Sequence, residues 1–524
     1  MAMTEFHSVR AFAREEPRIE LIEATLRSLL ALVELEFEGQ PVQVDGFRLR
    51  NLEDWRTARE TSLQLNLGSL STTCNCRCEF CYEQGNPPGL FETEPRFVGV
   101  QEARVRRKYL HDGRGLAHES KSSFEPLTNP RFFDLMRLMR EDDPEQLIEL
   151  ITNGALLSEE LIVRLAELKP IWINVSLNSS DAAVRGRIMG DRRFGQAVRV
   201  PEILRSHEIP FMGSLVPWPE QGLDDLVRTI EYLDAHEART TRVAMPALTR
   251  HHPRYSPTAL REWLPAVKDR VEEVRRGIRT PVLISPFTYV TSSLDAVVEG
   301  VIRRSPADVA GLEIGDRLLA IDDRQVVSRA HASSLLAKAQ PSGRVALEIG
   351  RDDAAFDVVL QEPAPGLDVY PYRPRDYRRL DFPGMLFGLC LPGSFHLSYV
   401  KRIYEKILAR EAKRVLVLVS SHFREVVADL LAGLPLSSGA ELELLVPENR
   451  FFGGDVDIGD LWVLEDIVAS VRAHAREAGL PDLLVMPDSF LSRWGRDLLG
   501  VPYTELETVL GLEVALIPCE RILV

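Results

Sequence analysis

Between residues 61 and about 278, short apolar runs alternate with longer segments in which apolar residues recur every three or four positions. Runs of four to eight apolar or β-branched residues read as strands, and the three-to-four spacing reads as helices with one buried face. The strands expected are SLQLNLGS, LAHESKSSF, LIELITNG, IWINVSLN, PFMGSLVP and TRVAMPAL. Between and after them come the helices PRFFDLMRLMRE, SEELIVRLAEL, LDDLVRTIEYLDAH and PTALREWLPAVKDRVEEVRR. Regular alternation of the two calls for parallel strands joined by crossover helices. The expected fold is therefore α/β, a partial (β/α)6 TIM-like barrel with its active site at the C-terminal ends of the strands.

The pattern changes on either side. Residues 1–60 read as an N-terminal helical and extended appendage, with an amphipathic helix over RIELIEATLRSLLALVE and no visible chemistry. From 280 to 364, short β runs surround one compact helix, HASSLLAKAQ, which indicates a small separate β domain. Residues 365–524 open with a connector, APGLDVYPYRPRDYRRLDFPG, rich in proline and aromatics. A C-terminal α/β domain follows, with strands RVLVLVSS, LELLVPEN, DLLVMPD and LEVALIP.

Several domains are expected of 524 residues, and 45% hydrophobic with 27% charged residues is an ordinary globular composition. A net charge of −15 sets the overall field against phosphate backbones and anionic lipid surfaces, so neither nucleic acid nor membrane is an expected partner. The N-terminus lacks the apolar segment of a secretory signal, which makes the cytoplasm the expected location. Six cysteines are too few for a disulfide scaffold, and four of them fall within eight residues, which points to a metal.

Those four lie in STTCNCRCEFCYEQG, just after the first expected strand. Cys74, Cys78 and Cys81 fit CxxxCxxC, with Phe80 before the last cysteine. Thiolates are the natural ligands of iron–sulfur clusters, and three on one loop can reach three corners of a cube while the fourth iron stays open. The competing readings are a structural zinc knuckle and a set of buried thiols, but four ligands within eight residues make a cramped tetrahedral cage. Cys76 either points away from the cluster or replaces a neighbour as ligand. Cys390 and Cys519 stand alone, as small buried hydrophobes do.

CxxxCxxC in the loop after strand one of a βα array resembles the radical S-adenosylmethionine (SAM) superfamily, and further segments follow in that family's order. SSFEPLTNP resembles its Gly-Gly-Glu-Pro motif, with Ser123 and Phe124 in place of the glycines and Glu125 at the methionine end of SAM. ITNGALL, with Asn153, resembles the third-strand motif, and INVSLNSS the fourth, with Ser176 and Asn178 near the cofactor. DAAVRGRIMG offers Arg185 or Arg187 to the SAM carboxylate, and Phe80 and the backbone at Tyr82 would flank the adenine. The resemblance implies a 4Fe-4S cluster, SAM chelated at the open iron, and reductive cleavage to a 5′-deoxyadenosyl radical that abstracts hydrogen from a substrate. It also implies an electron donor such as flavodoxin or ferredoxin. It names no catalytic side chain and no substrate.

SPADVAGLEIGDRLLAIDD resembles a PDZ domain of the bacterial protease type, which implies capture of a polypeptide C-terminus by strand addition. The family's glycine-bearing carboxylate loop is not expected, because TYVTSSLDAVVEG stands in its place. NRFFGGDVDIGDLWVLEDI and VMPDSFL resemble an uncharacterised domain that accompanies bacterial radical SAM and PDZ modules. Within it, Asn449, Gly453 and Gly454 suit either a substrate pocket or a tight turn anchored by Phe451 and Phe452. The function implied is a radical SAM oxidoreductase or transferase acting on a polypeptide or a small molecule. The alternative is a peptide-binding scaffold whose cluster is structural or redox-sensing.

Overall fold

The computed structural model describes four two-residue strands between 36 and 48, and residues 70–88, 97–109, 124–285, 295–362, 386–391 and 397–517. Within those ranges 143, 145–147, 258–259, 261, 340–341, 422, 433–438, 457–458 and 492–494 are left out. The expected N-terminal helix, the first two barrel strands up to residue 69 and Ser123, and most of the connector lie outside the described residues.

Five parallel strands form one sheet in sequential order: β1 (Ile148–Thr152), β2 (Ile171–Ser176), β3 (Phe211–Leu215), β4 (Thr241–Ala244) and β5 (Val282–Ser285). Alternation along each strand decides which side is covered. Ile148, Leu150, Ile171, Ile173, Val175, Phe211, Leu215, Val243, Val282 and Ile284 face the crossover helices and share one core with them. These helices begin where the sequence supplies caps: Ser158 accepts the N–H of Leu161, and Asp181 accepts those of Ala183 and Val184. The barrel outlasts its expected end at 278, since β5 pairs with β4 along its whole length. Four residues of strand gave too weak a periodic signal to separate β5 from the β runs after it.

The second module is a four-stranded antiparallel sheet built on Arg317–Ile321, Arg324–Gln325, Arg344–Arg351 and Ala354–Gln361, covered by the helix Arg329–Ala339. Its core extends to Trp172 and Met212, which leave the barrel sheet on the face opposite the crossover helices. The short strand Gly300–Val301 pairs antiparallel with Leu389–Cys390. Residues 386–391, part of the stretch 365–524 expected to form the last unit, therefore return to this module. Cys390, expected to stand alone, is a buried strand residue at this junction.

The C-terminal module is a parallel sheet of Glu441–Leu445, Arg414–Leu418, Leu483–Pro487 and Glu513–Ile517, in that spatial order. Leu416, Leu418, Leu484 and Met486 pack beneath the helices Leu464–Ala478 and Thr504–Leu510. Val415, Val417, Leu483 and Val485 pack beneath Leu397–Arg410 and Arg424–Ala432 on the other face. No helix among the described residues is long and apolar enough to cross a membrane.

Candidate active site

The cysteine loop is pinned at three points. At its start, Thr73 O accepts the N–H of Glu125 at 3.2 Å, and the hydroxyls of Ser71, Thr73 and Thr128 bond one another. In its middle, Arg77 and Glu79 donate their N–H groups to Met189 O and Ile188 O, both at 2.8 Å. These are the terminal carbonyls of the helix Ala182–Met189, which have no partner within the helix. At its end, the turn Tyr82–Gly85 is held from the loop after β4: His252 Nε2 lies 3.2 Å from Cys81 O, and Thr249 Oγ1 donates to Gly85 O.

This bracing separates the thiols. Cys76 is buried against Ala155 and Ala197, whereas Cys74 is exposed and Cys78 and Cys81 are half-buried. Hydrogen bonding from the Cys76 thiol draws Cys74 down to about 6, assisted by the Cys76 N–H at 3.4 Å and the Asn153 amide at 3.6 Å. The same thiol pairing, followed by burial, pushes Cys76 up and keeps it protonated. Burial raises Cys78, and it pushes Cys81 up to about 11.

Glu125 is 3% exposed and works as a staple. Its Oε1 accepts from Leu127 N at 3.2 Å and Thr152 Oγ1 at 2.7 Å, and its Oε2 accepts from Asn153 N at 2.7 Å. Burial raises its carboxyl to about 7 in spite of those donors. Asn153 brings its amide to Cys74 Sγ and, at 2.9 Å, to Asn75 Oδ1. Asn178 has a φ of 61° and is 1% exposed; its side chain accepts from Val216 N at 2.8 Å and donates to Ser176 O at 3.2 Å. It shapes the turn after β2, at whose end Ser176 stands half-buried.

The two arginines part company. Arg185 is 0% exposed, pairs with Asp191 at 2.9 Å, and donates to Ser176 O at 3.0 Å, to Leu177 O and to Asn153 O. Enclosed in this way, the Arg185 guanidinium ties the ends of β1 and β2 together. Arg187 donates to Glu220 O at 3.2 Å on the outside of the site. Phe80 is buried against Ile188, Met189, Trp218 and Leu248, while Tyr82 is about half exposed, at 51%.

The family model of the Radical SAM superfamily matches residues 69–233, and that of the PDZ domain matches 297–351. Residues 69–233 form a radical SAM domain. The superfamily's cofactors, SAM and a 4Fe-4S cluster, are those of this domain. Among solved structures, the chain is similar to Streptococcus suis SuiB bound to S-adenosylmethionine, with 17% identity over 42% of this chain and 49% of that one, at a TM-score of 0.31. It is also similar to anSMEcpe with bound AdoMet and a Kp18Cys peptide, with 19% identity over 41% and 62%, at a TM-score of 0.31. A third is the radical SAM methyltransferase TsrM from Kitasatospora setae, with 16% identity over 40% of each chain, at a TM-score of 0.27. The chain spans less than two thirds of each of these proteins.

Cys74, Cys78 and Cys81 are sulfur donors of the type a 4Fe-4S cluster takes. Among the described residues, no three His, Cys, Asp or Glu side chains close upon a single ion. A cube needs each thiolate at a separate corner, which is a wider arrangement than a mononuclear cage. Asn153 and the Cys76 N–H supply hydrogen bonds to sulfur of the kind that tune such clusters.

Residues around this centre that no motif singled out are Thr249, His252, Arg254, Trp218 and Glu79. Trp218 Nε1 and Arg254 both donate to Glu79, at 3.0 and 2.5 Å. The available signal was the segment LTRHHPRY, polar and proline-bearing, directly after an expected strand, where barrel sites gather.

In the PDZ module, Phe387 and Gly388 have φ of 57° and 87° just before the strand Leu389–Cys390. Ile302 and Glu299 donate their N–H groups to Gly388 O and Cys390 O. The other edge of that strand carries no partner strand among the described residues, and the helix Arg329–Ala339 packs near the turn.

Proposed function

We propose that this chain is a radical SAM enzyme in which Cys74, Cys78 and Cys81 hold the cluster and Cys76 remains a buried thiol. The supporting observation is the division of four neighbouring cysteines into one buried, one exposed and two half-buried, on a loop braced from three sides. With cluster and SAM bound, the chemistry supplied is reductive cleavage of the sulfonium and abstraction of hydrogen from substrate by the resulting radical. The protein's share is placement: Glu125 and Arg185 fix the ends of β1 and β2, Asn153 steadies Cys74, and Ser176 stands at the rim toward SAM. Arg187 and Tyr82 lie farther out, where a bound cofactor would recruit them, and Phe80 backs the loop. Oxidoreductase and transferase chemistry both fit, and the electron donor is a flavodoxin or ferredoxin.

For the substrate we favour a polypeptide, presented by its C-terminus to the PDZ module. The Phe387–Gly388 turn leads into a strand with one open edge beside a helix, the arrangement that strand addition requires.

Anaerobic iron–sulfur reconstitution followed by a dithionite assay for 5′-deoxyadenosine tests the enzyme. Expected are about four irons per chain and SAM cleavage, both lost in the Cys74→Ala/Cys78→Ala/Cys81→Ala variant. A stable cluster that cleaves no SAM under any reductant would leave the scaffold reading. A panel of peptides with free or amidated C-termini tests the PDZ assignment, and equal binding of both forms would count against it.

A further inference from the structure

The C-terminal module reaches the radical SAM centre through one turn. Asn449 Oδ1 accepts the N–H of Phe452 at 3.0 Å, and Asp466, on the helix Leu464–Ala478, accepts those of Arg450 and Phe451 at 2.8 and 2.9 Å. The turn so formed meets the loop after β4 in a two-bond grip: Arg250 N donates to Phe452 O at 3.0 Å, and Asp455 N donates to Leu248 O at 2.7 Å. Between those bonds sits Gly454, with a φ of 72°, where a Cβ would overlap Leu248 O and lie 2.7 Å from Arg250 N. The approach of backbone to backbone here requires glycine.

The gripped residues, 248–250, lead straight into the bonds that close the cysteine loop. Thr249 donates to Gly85 O, and a Cβ on Gly85 would stand 2.6 Å from that hydroxyl. His252 Nδ1 accepts the N–H of Arg254 at 3.1 Å, so the ring hydrogen sits on Nε2 and is donated to Cys81 O. Cys81 O also accepts from Gln84 N at 3.0 Å, which forms the turn after the last cysteine.

We propose that the Phe451–Asp455 turn is a positioning element for the radical SAM centre: by gripping residues 248–250 it holds Thr249 and His252 against the turn at Cys81–Gly85. The C-terminal module is then part of the wall of the cluster site, and its docking governs how firmly the last cysteine is presented. The proposal rests on the cysteine loop being the cluster site, but the bond network itself can be tested in iron-free protein.

The test is amide hydrogen exchange on the full iron-free chain, comparing wild type with Gly454→Ala. Exchange at Gln84 and its neighbours in 82–85 should rise at least tenfold, while the helix Leu464–Ala478 stays within twofold of wild type. Unchanged exchange at 82–85 with that helix intact would overturn the proposal. If Gly454→Ala opens the C-terminal module itself, His252→Leu and His252→Gln decide: Leu should free Gln84, and Gln, which keeps a donor, should protect it. Equal exchange in those two variants would also overturn it. In reconstituted protein, Gly454→Ala should lose iron to a chelator at least tenfold faster. Failure of wild type to take up iron would instead refute the cluster assignment and leave the exchange result standing.

Discussion

Glu125 Oε2 accepts the backbone N–H of Asn153 at 2.7 Å, which joins the segment after the cysteine loop to the end of the first described barrel strand. Glu125→Gln turns an acceptor into an N–H facing an N–H. Leaving such a buried donor unpaired costs about 1 to 3 kcal/mol. Chemical denaturation of anaerobically handled protein should show that loss, with weaker SAM binding by calorimetry because Asn153 shifts relative to Cys74.

Arg185 and Asp191 form a fully enclosed pair. Removing one partner strands the other, at about 3 to 5 kcal/mol. Arg185→Met and Asp191→Asn should each lower the denaturation midpoint sharply. The double variant should lose less than the sum, because both singles break the same interaction.

Cys76 differs from its neighbours by burial against Ala155 and Ala197. Reconstituted Cys76→Ser should retain about four irons per chain, and Cys74→Ser, Cys78→Ser and Cys81→Ser should each fall well below that. Iron analysis with the visible absorption of the cluster reads the difference. Loss of iron from Cys76→Ser equal to that of the other three would place Cys76 among the ligands.

Gly388 combines a φ of 87° with a site where a Cβ would overlap the side chain of Ser305. Gly388→Ala should cost about 2 to 4 kcal/mol through left-handed strain and overpacking. Thermal unfolding would register it as an early transition of the PDZ module. Peptides that bind the wild type should no longer bind at the same concentration.

Asp497 is buried and accepts N–H groups from Leu464, Leu499 and Val501, and burial still pushes it up to about 6. The unfolded carboxyl titrates near pH 3.9, so between about 4 and 6 the folded state binds more protons than the unfolded one. Stability from this group is greatest below about pH 4 and falls as pH rises to about 6. Asp497→Asn should flatten that slope in urea midpoints measured from pH 4 to 7, while removing one acceptor at the start of the helix Leu464–Ala478.

Where periodicity was strong, the sequence was a faithful guide. LIELITNG, IWINVSLN, PFMGSLVP and TRVAMPAL became β1 to β4, and four runs past residue 410 became the C-terminal sheet. The cysteine spacing pointed to the radical SAM domain matched over 69–233, because such a motif is local in sequence. Four things escaped. β5 is too short to announce which sheet it joins, and the pairing of Gly300–Val301 with Leu389–Cys390 depends on tertiary contact across nearly ninety residues of chain. The role of Arg185 is set by enclosure, which a motif cannot express: the same side chain in a looser fold would face solvent or ligand. His252 and Thr249 act through backbone carbonyls of a distant loop, and such bonds leave no residue pattern.

The return of Leu389–Cys390 to the PDZ sheet has a bearing on heredity. A module whose parts lie on both sides of residues 363–385 passes whole between genes only as a cassette that runs on through Cys390. A recombination event that ends at 351, or at 364, delivers a sheet whose Gly300–Val301 strand lacks its neighbour, with main-chain donors at Glu299 and Ile302 left to water. Inheritance of an intact second module is thereby tied to the chain up to Cys390.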